Sequence, residues 1–292
     1  MLPAPLSDDL GAIITSAPAR FNEILPLGAR RLIIPPVPRR VHCPHVSPGS
    51  ITLDPRQSHH LRDVLRLAAG EEVELFDDAG NIARGVVREV GDAVVVDVDQ
   101  VHPAEAGSAM QLTIAAAVPK GERADWMVEK LSELGVGRFV PIVSERSVVV
   151  PQGKNKLQRW QRLATESAKQ SRRGGVMRTD DVTPLAKLLA AIASGKDSQS
   201  AAADGTGASQ AWYLSPAADA TPIHRALAER RGAGELTLLI GPEGGWSERE
   251  IESFEQAGLL AVRLTGTILR IETAAIAAAA IIATSESMTR TR

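Results

Sequence analysis

Two short loops near the end of the chain carry the residues best suited to chemistry. Gly241-Pro242-Glu243-Gly244-Gly245 sets one carboxylate among three glycines, and Thr265 to Glu272 carries Arg270 and Glu272 two positions apart. A carboxylate and a guanidinium facing one space can remove a proton and stabilise the anion left behind, so Glu243, Arg270 and Glu272 are the candidate catalytic residues. The elements that must position them repeat one pattern. Leu236 to Ile240 reads as a buried strand, the glycine loop as a turn, and Ser247 as a helix N-cap with Glu250 three residues on. Leu259 to Leu264 is the next strand, and Thr273 opens a helix built almost wholly of Ala and Ile. This grammar predicts neighbouring strand ends on one sheet edge, where open α/β sheets bind ligands. Glu272, immediately before that helix, has a second use as its cap.

The glycine loop, followed at this spacing by Ile268-Leu269-Arg270-x-Glu272-Thr273-Ala274, closely resembles the RsmE-type methyltransferases of the SPOUT class, over roughly Arg31 to Thr284. That resemblance implies transfer of a methyl group from S-adenosylmethionine to N3 of a uridine in 16S ribosomal RNA. It implies a PUA-like RNA-binding β-module ahead of an α/β domain with a parallel sheet and a C-terminal trefoil knot. It also implies a homodimer in which the second subunit helps to build each site. Cofactor contacts carry over to Leu214, Gly241, Leu264, Ile268 and Leu269, with Gly266 nearby. Val64-Leu65-Arg66, followed by Gly70 and Leu75-Phe76-Asp77, is similar to the family's β-module; Arg146, Gln170 and Arg173 match further family positions, and Arg66, Arg146, Gln170 and Arg173 are candidate RNA-binding residues.

Composition sets the bounds. A chain of 292 residues with 44% apolar and 23% charged residues is long enough for two globular domains. Lys plus Arg total 33 against 35 acidic residues, so overall charge is silent about nucleic acid. One cysteine, Cys43, forms no intramolecular disulfide and fits a reducing compartment, with cytoplasm as the expectation. Asp8 and Asp9 stand where an export signal would be basic, and the apolar run Ala274 to Ala283 is about half a membrane span, so no membrane partner is expected.

Residues 1 to 30, rich in Pro, Ala and Ser, read as a disordered extension. From 31 to 103 short strands dominate: Ile51 to Leu53, Glu72 to Phe76, Ile82 to Val87 and Ala93 to Val98, with turn chemistry at Asp77 to Asn81 and one helix-like insertion from His59 to Leu67. A linker follows through Ser108. From 109 to 292 strands and helices alternate, which argues for a parallel sheet, with a polar insertion at 196–209.

Neither G-x-G-x-x-G nor G-x-x-x-x-G-K-[ST] occurs, which disfavours dinucleotide and P-loop chemistry and leaves room for a cofactor without phosphates. G-x-S-x-G is absent too. His42, Cys43, His45, His59 and His60 lack the paired spacing of a zinc site, so no metal is expected. Between Lys154 and Arg178 eight basic residues face one acidic residue, Glu166. On a helix, Arg159, Arg162, Lys169 and Arg173 fall within roughly an 80° arc opposite Leu157, Trp160, Leu163, Ala164 and Ala168. This face, with Arg172 beside it, is the candidate phosphate-binding surface. Two alternatives stay open: a SPOUT enzyme methylating ribose 2′-hydroxyls, and an RNA-binding protein without catalysis.

Overall fold

The computed structural model describes residues 38–103, 110–151, 153–195, 210–230 and 234–290. The expected extension at 1–30 and the polar segment 196–209 lie outside them. The described residues fall in one compact unit with two sheets.

The first sheet contains β1 (Arg39–His42), β2 (Gly49–Thr52), β3 (Glu72–Phe76), β4 (Asn81–Val90) and β5 (Val94–Pro103), in the order β1-β3-β4-β5-β2. All pairings are antiparallel except β1 with β3. The Asp77 carboxylate organises the β3–β4 turn by accepting from the N–H and the side chain of Asn81, at 2.8 and 2.9 Å, and from the N–H of Val46 at 3.1 Å. The helical insertion begins earlier than the sequence pattern predicts. Asp54 caps α1 (Pro55–His59), which runs on as a π-helical turn over His60–Val64.

The second sheet is wholly parallel. Its strands are β6 (Met110–Ala117), β7 (Val136–Val143), β8 (Arg178–Thr179), β9 (Thr183–Pro184), β10 (Gln210–Leu214), β11 (Thr221–Pro222), β12 (Leu236–Ile240) and β13 (Leu260–Arg263). The order is β11-β13-β10-β12-β6-β7-β8, with β9 also on β7. The strands that precede the two chemical loops, β12 and β13, are therefore not neighbours. Strand β10 lies between them and pairs with both, a long-range pairing that no local pattern encodes.

Helices cover both faces, so a central strand such as β12 is buried at every position. One core holds α2 (Arg123–Glu133), α3 (Lys154–Gln170), α5 (Ile223–Glu229) and α7 (Ile271–Arg290); the other holds α4 (Leu185–Ala193) and α6 (Glu248–Gln256). Helix α2 buries Ala124, Met127, Val128 and Leu131, the spacing of one helical face. The small-residue face of α7, Ala274, Ala275, Ala278 and Ala279, is core packing against α2 and β6. Among the described residues, no helix is long and apolar enough to cross a membrane.

The β-module is joined to the α/β domain by buried contacts. Phe76, at the end of β3, belongs to the larger α/β core. The Arg40 guanidinium lies 4.2 Å from the Phe76 ring centroid, pairs with Glu74 at 2.8 Å, and donates from Nη1 to the Ala168 carbonyl of α3 at 3.2 Å. At the tip of the β3–β4 turn, Gly80 lies so close to the Gly174 carbonyl that a Cβ there would sit 3.3 Å from it.

Candidate functional site

A cavity of about 430 Å³ opens at the carboxyl ends of β10, β12 and β13. Leu214, Ile240, Leu264, Ile268, Leu269 and Ala274 give it apolar walls, and among the described residues Glu243, Arg263 and Arg270 are the formally charged ones that line it. The glycine loop forms one side. Gly245 adopts a left-handed backbone (φ 69°) and donates to the Pro242 carbonyl at 2.9 Å. Ser247 and Glu250 then close a full capping box on α6. Trp246 is buried behind the loop. Its Nε1 donates to the Leu214 carbonyl at 3.0 Å and its ring meets Phe254 edge-on at 4.9 Å. A Cβ at Gly241 would lie 2.9 Å from Trp246 Cε2, so only glycine fits between ring and cavity.

The loop after β13 forms the other side. Thr265 Oγ1 donates to the Thr267 carbonyl at 2.8 Å, and Ala274 N donates to the Arg270 carbonyl, closing the first turn of α7. Ile268, 87% exposed, is an apolar lip. Arg270 is exposed at the cavity and, among the described residues, its guanidinium has no hydrogen-bond or ion-pair partner. Gly266 sits between two lining threonines but does not line the cavity itself.

The two candidate carboxylates part company. Glu243 is exposed and lines the cavity. Helix α7 begins at Ile271, two residues before the predicted start, which puts Glu272 inside its first turn and turns it away from the cavity. There Glu272 is buried, with Oε1 3.3 Å from Arg123 Nη1. The expectation of Glu272 at the cavity is corrected accordingly: Oε1 faces Arg123 of α2, and Oε2 is buried without a hydrogen-bond partner among the described residues.

Arg173 is a second correction. Helix α3 ends at Gln170, and Arg172 takes a left-handed backbone (φ 56°), so the helical arc does not extend to Arg173. The chain instead turns inward. Arg173 is buried and donates from Nη1 to the carbonyls of Ser132 and Val136, at 3.0 and 2.9 Å, at the end of α2. Burial pushes its guanidinium down to about 10. It is out of reach of any phosphate.

The other basic candidates divide. Arg162, Gln170 and Arg172 are exposed, opposite the fully buried Trp160, Ala164 and Ala168. Arg159 is exposed but paired with Asp125 at 2.8 Å. Lys169 reaches toward the β-module, to Gln57 at 3.3 Å. Arg66 is exposed on the β-module with a left-handed backbone (φ 52°). Arg146 is exposed and also binds the glycine loop, donating to the Gly244 and Trp246 carbonyls. Sequence reasoning missed Trp246, Ser215, Pro216 and Arg263 as parts of the site. Arg263 alone gave a signal, as a charge ending an apolar strand.

A family model of the RNA methyltransferase domain matches residues 106–283, and one of the RNA methyltransferase PUA domain matches residues 53–98. This chain belongs to the RNA methyltransferase family. Relatives of this methyltransferase include Ribosomal RNA small subunit methyltransferase E of Synechocystis sp., 29% identical over 77% of this chain and 70% of that protein. The Bacillus subtilis protein of the same name is 28% identical over 80% and 89%. Among solved structures, Ribosomal RNA small subunit methyltransferase E from Neisseria gonorrhoeae bound to S-adenosyl methionine superposes with a TM-score of 0.70 at 26% identity, covering 85% of the methyltransferase and 98% of that chain.

Proposed function

We propose that this chain transfers a methyl group from S-adenosylmethionine to N3 of a uridine in 16S ribosomal RNA. The observation that carries the reading is the cavity itself: apolar walls, backbone edges from two loops, and an unpaired guanidinium at its lip. This donor set fits the cofactor. An adenine and a thioether-like chain need apolar walls and backbone groups, which the glycine loop, Leu214, Leu264 and Leu269 supply, and the sequence carries neither a P-loop nor a dinucleotide fingerprint. When bound, S-adenosylmethionine supplies an electrophilic methyl group on a sulfonium.

The chain's residues must deal with the proton on uracil N3. Arg270 is permanently charged and stabilises the imide anion that deprotonation leaves. Glu243, the remaining carboxylate of the cavity, is the candidate base. The N3 edge is occupied in a Watson-Crick pair, so the target base is unpaired or extruded. Residues 31–103 serve as the RNA-binding module and 109–292 as the knotted catalytic domain, with Arg66, Arg159, Arg162, Gln170 and Arg172 toward RNA. A homodimer in the cytoplasm completes the reading; the half-exposed Trp126 of α2 and Ile281 of α7 support a subunit contact there.

Calorimetry tests the cofactor: S-adenosylmethionine binds, and ATP and NAD do not. Nucleoside mass spectrometry of 16S ribosomal RNA from a strain lacking the gene tests the product, with loss of 3-methyluridine expected. Loss of a 2′-O-methyl mark instead would move the activity to ribose.

A further inference from the structure

Arg146 lies in the turn after β7, far in sequence from the glycine loop, and its type and exposure fit a phosphate contact. Its hydrogen bonds point to a second role. The turn is built before it meets anything else: Ser147 N donates to the Ser144 carbonyl at 3.1 Å, and Ser144 N donates to Ser147 Oγ at 2.9 Å. This fold-back aims both Glu145 N and the Arg146 side chain at the loop after β12.

Two latches follow. Glu145 N donates to Glu250 Oε1 at 2.9 Å, while Glu250 Oε2 accepts from Ser247 N at 2.8 Å, so one buried carboxylate joins the two loops. Arg146 Nη1 donates to the Gly244 carbonyl at 3.0 Å and the Trp246 carbonyl at 3.1 Å. Its aliphatic stem packs against Gly244, where an added Cβ would lie 3.3 Å from Arg146 Cβ and 3.5 Å from Cδ. Gly244 and Trp246 flank Gly245, the left-handed residue of a loop whose own closure is a single backbone bond, Gly245 N to the Pro242 carbonyl. Trp246 is anchored by Leu214 and Phe254, but the glycines before it are intrinsically mobile unless something outside the loop fixes them.

We infer that Arg146 is a positioning residue: it holds Gly244 to Trp246 in place so that the glycine-loop wall of the cavity is formed before the cofactor arrives. The inference rests on the cofactor reading of the cavity. A preformed wall lowers the ordering cost of binding, so Arg146 acts on cofactor affinity and leaves RNA attraction untouched.

The test compares the full-length parent with Arg146→Met, which keeps the stem and loses the donors, and Arg146→Lys, which keeps a donor. In Arg146→Met, amide exchange at Gly244 to Ser247 speeds up, Kd and KM for S-adenosylmethionine rise about tenfold, and kcat at saturating cofactor stays near the parent value. The slope of RNA affinity against salt is unchanged. Arg146→Lys regains part of the affinity and of the exchange protection. A salt slope lowered by about 0.7 to 0.9, with cofactor affinity intact, would make Arg146 a phosphate contact and overturn the inference. Unchanged amide exchange in Arg146→Met overturns it as well. Should the parent fail to bind S-adenosylmethionine, the cofactor reading falls, while the exchange measurement still decides whether Arg146 holds the loop.

Discussion

Gly241→Ala puts one methyl group between the Trp246 ring and the cavity. Gly241 does not use a left-handed backbone, so alanine meets no conformational penalty and the effect is steric. The new Cβ would lie 2.9, 3.1 and 3.3 Å from Trp246 Cε2, Cδ2 and Cζ2, at its nearest about 0.6 Å inside the ~3.5 Å at which carbon contacts become favourable. Trp246 cannot retreat freely, because its Nε1 bond to Leu214 and its edge-on contact with Phe254 fix it from behind. Either the ring moves and strains a bond that contributes about 0.5–1.5 kcal/mol, or the loop moves outward into the cavity. Overpacking of this kind costs about 1–3 kcal/mol. Thermal unfolding should drop by about 2–4 °C per kcal/mol, and the share that reaches the cavity, about 1–2 kcal/mol, weakens cofactor binding about five- to thirtyfold. Calorimetry with S-adenosylmethionine reads the second number. The same change in a Trp246→Leu background should cost far less, because the clashing partner is gone. Equal costs in both backgrounds, or none in the parent, would refute the reasoning.

Further expectations concern catalysis, recognition and pH. Arg270→Ala should abolish turnover while leaving the salt dependence of RNA binding near its parent value. Glu272→Gln should keep an unshifted pH–rate profile, because Glu272 does not line the cavity; loss of the acidic limb would restore it as a base. Replacing Arg159, Arg162 and Arg172 together by Ala should lower the salt slope by about 0.7 to 0.9 for each phosphate no longer neutralised, whereas Arg173→Met should lower the melting temperature and leave the slope alone. Burial works against ionisation of Asp77, but bonds from Asn81, Val46 and Ala79 outweigh it and hold the carboxyl below its usual range. A carboxyl depressed in the folded state adds stability above its ordinary value and loses it as pH falls through the folded one. Asp77→Asn should therefore flatten the acid side of the stability curve, measured by urea titration at several pH values below about 5.

What local pattern encodes was legible in the sequence. The strands Glu72–Phe76 and Leu236–Ile240 and the Ser247 capping box follow from side-chain period and cap chemistry acting over a few residues. Pairing partners extend what the pattern shows: β4 runs on to Val90 because β5 supplies bonds that far. The failures are non-local or lie at element ends. Arg173 was projected on a helix that stops three residues earlier, and the left-handed turn at Arg172 reverses where its side chain goes. Glu272 sits inside a helix turn, away from the loop where the pattern puts it, because α7 starts at Ile271. The place of β10 between β12 and β13, which brings Leu214 to the cavity and lets Trp246 reach its carbonyl, depends on strand order alone.

The joint around Phe76 has a consequence for target choice. Because that side chain is part of the α/β core and Arg40 ties the same spot to the end of α3, the β-module is not a tethered arm free to search. The span from module to cavity is a built-in length, and under the proposed activity that span would act as a calliper. Under the proposed activity, an RNA qualifies by folding so that a gripped segment and a free uridine stand at that separation. The same uridine in a loose strand, however well its neighbours match, would not satisfy both jaws at once.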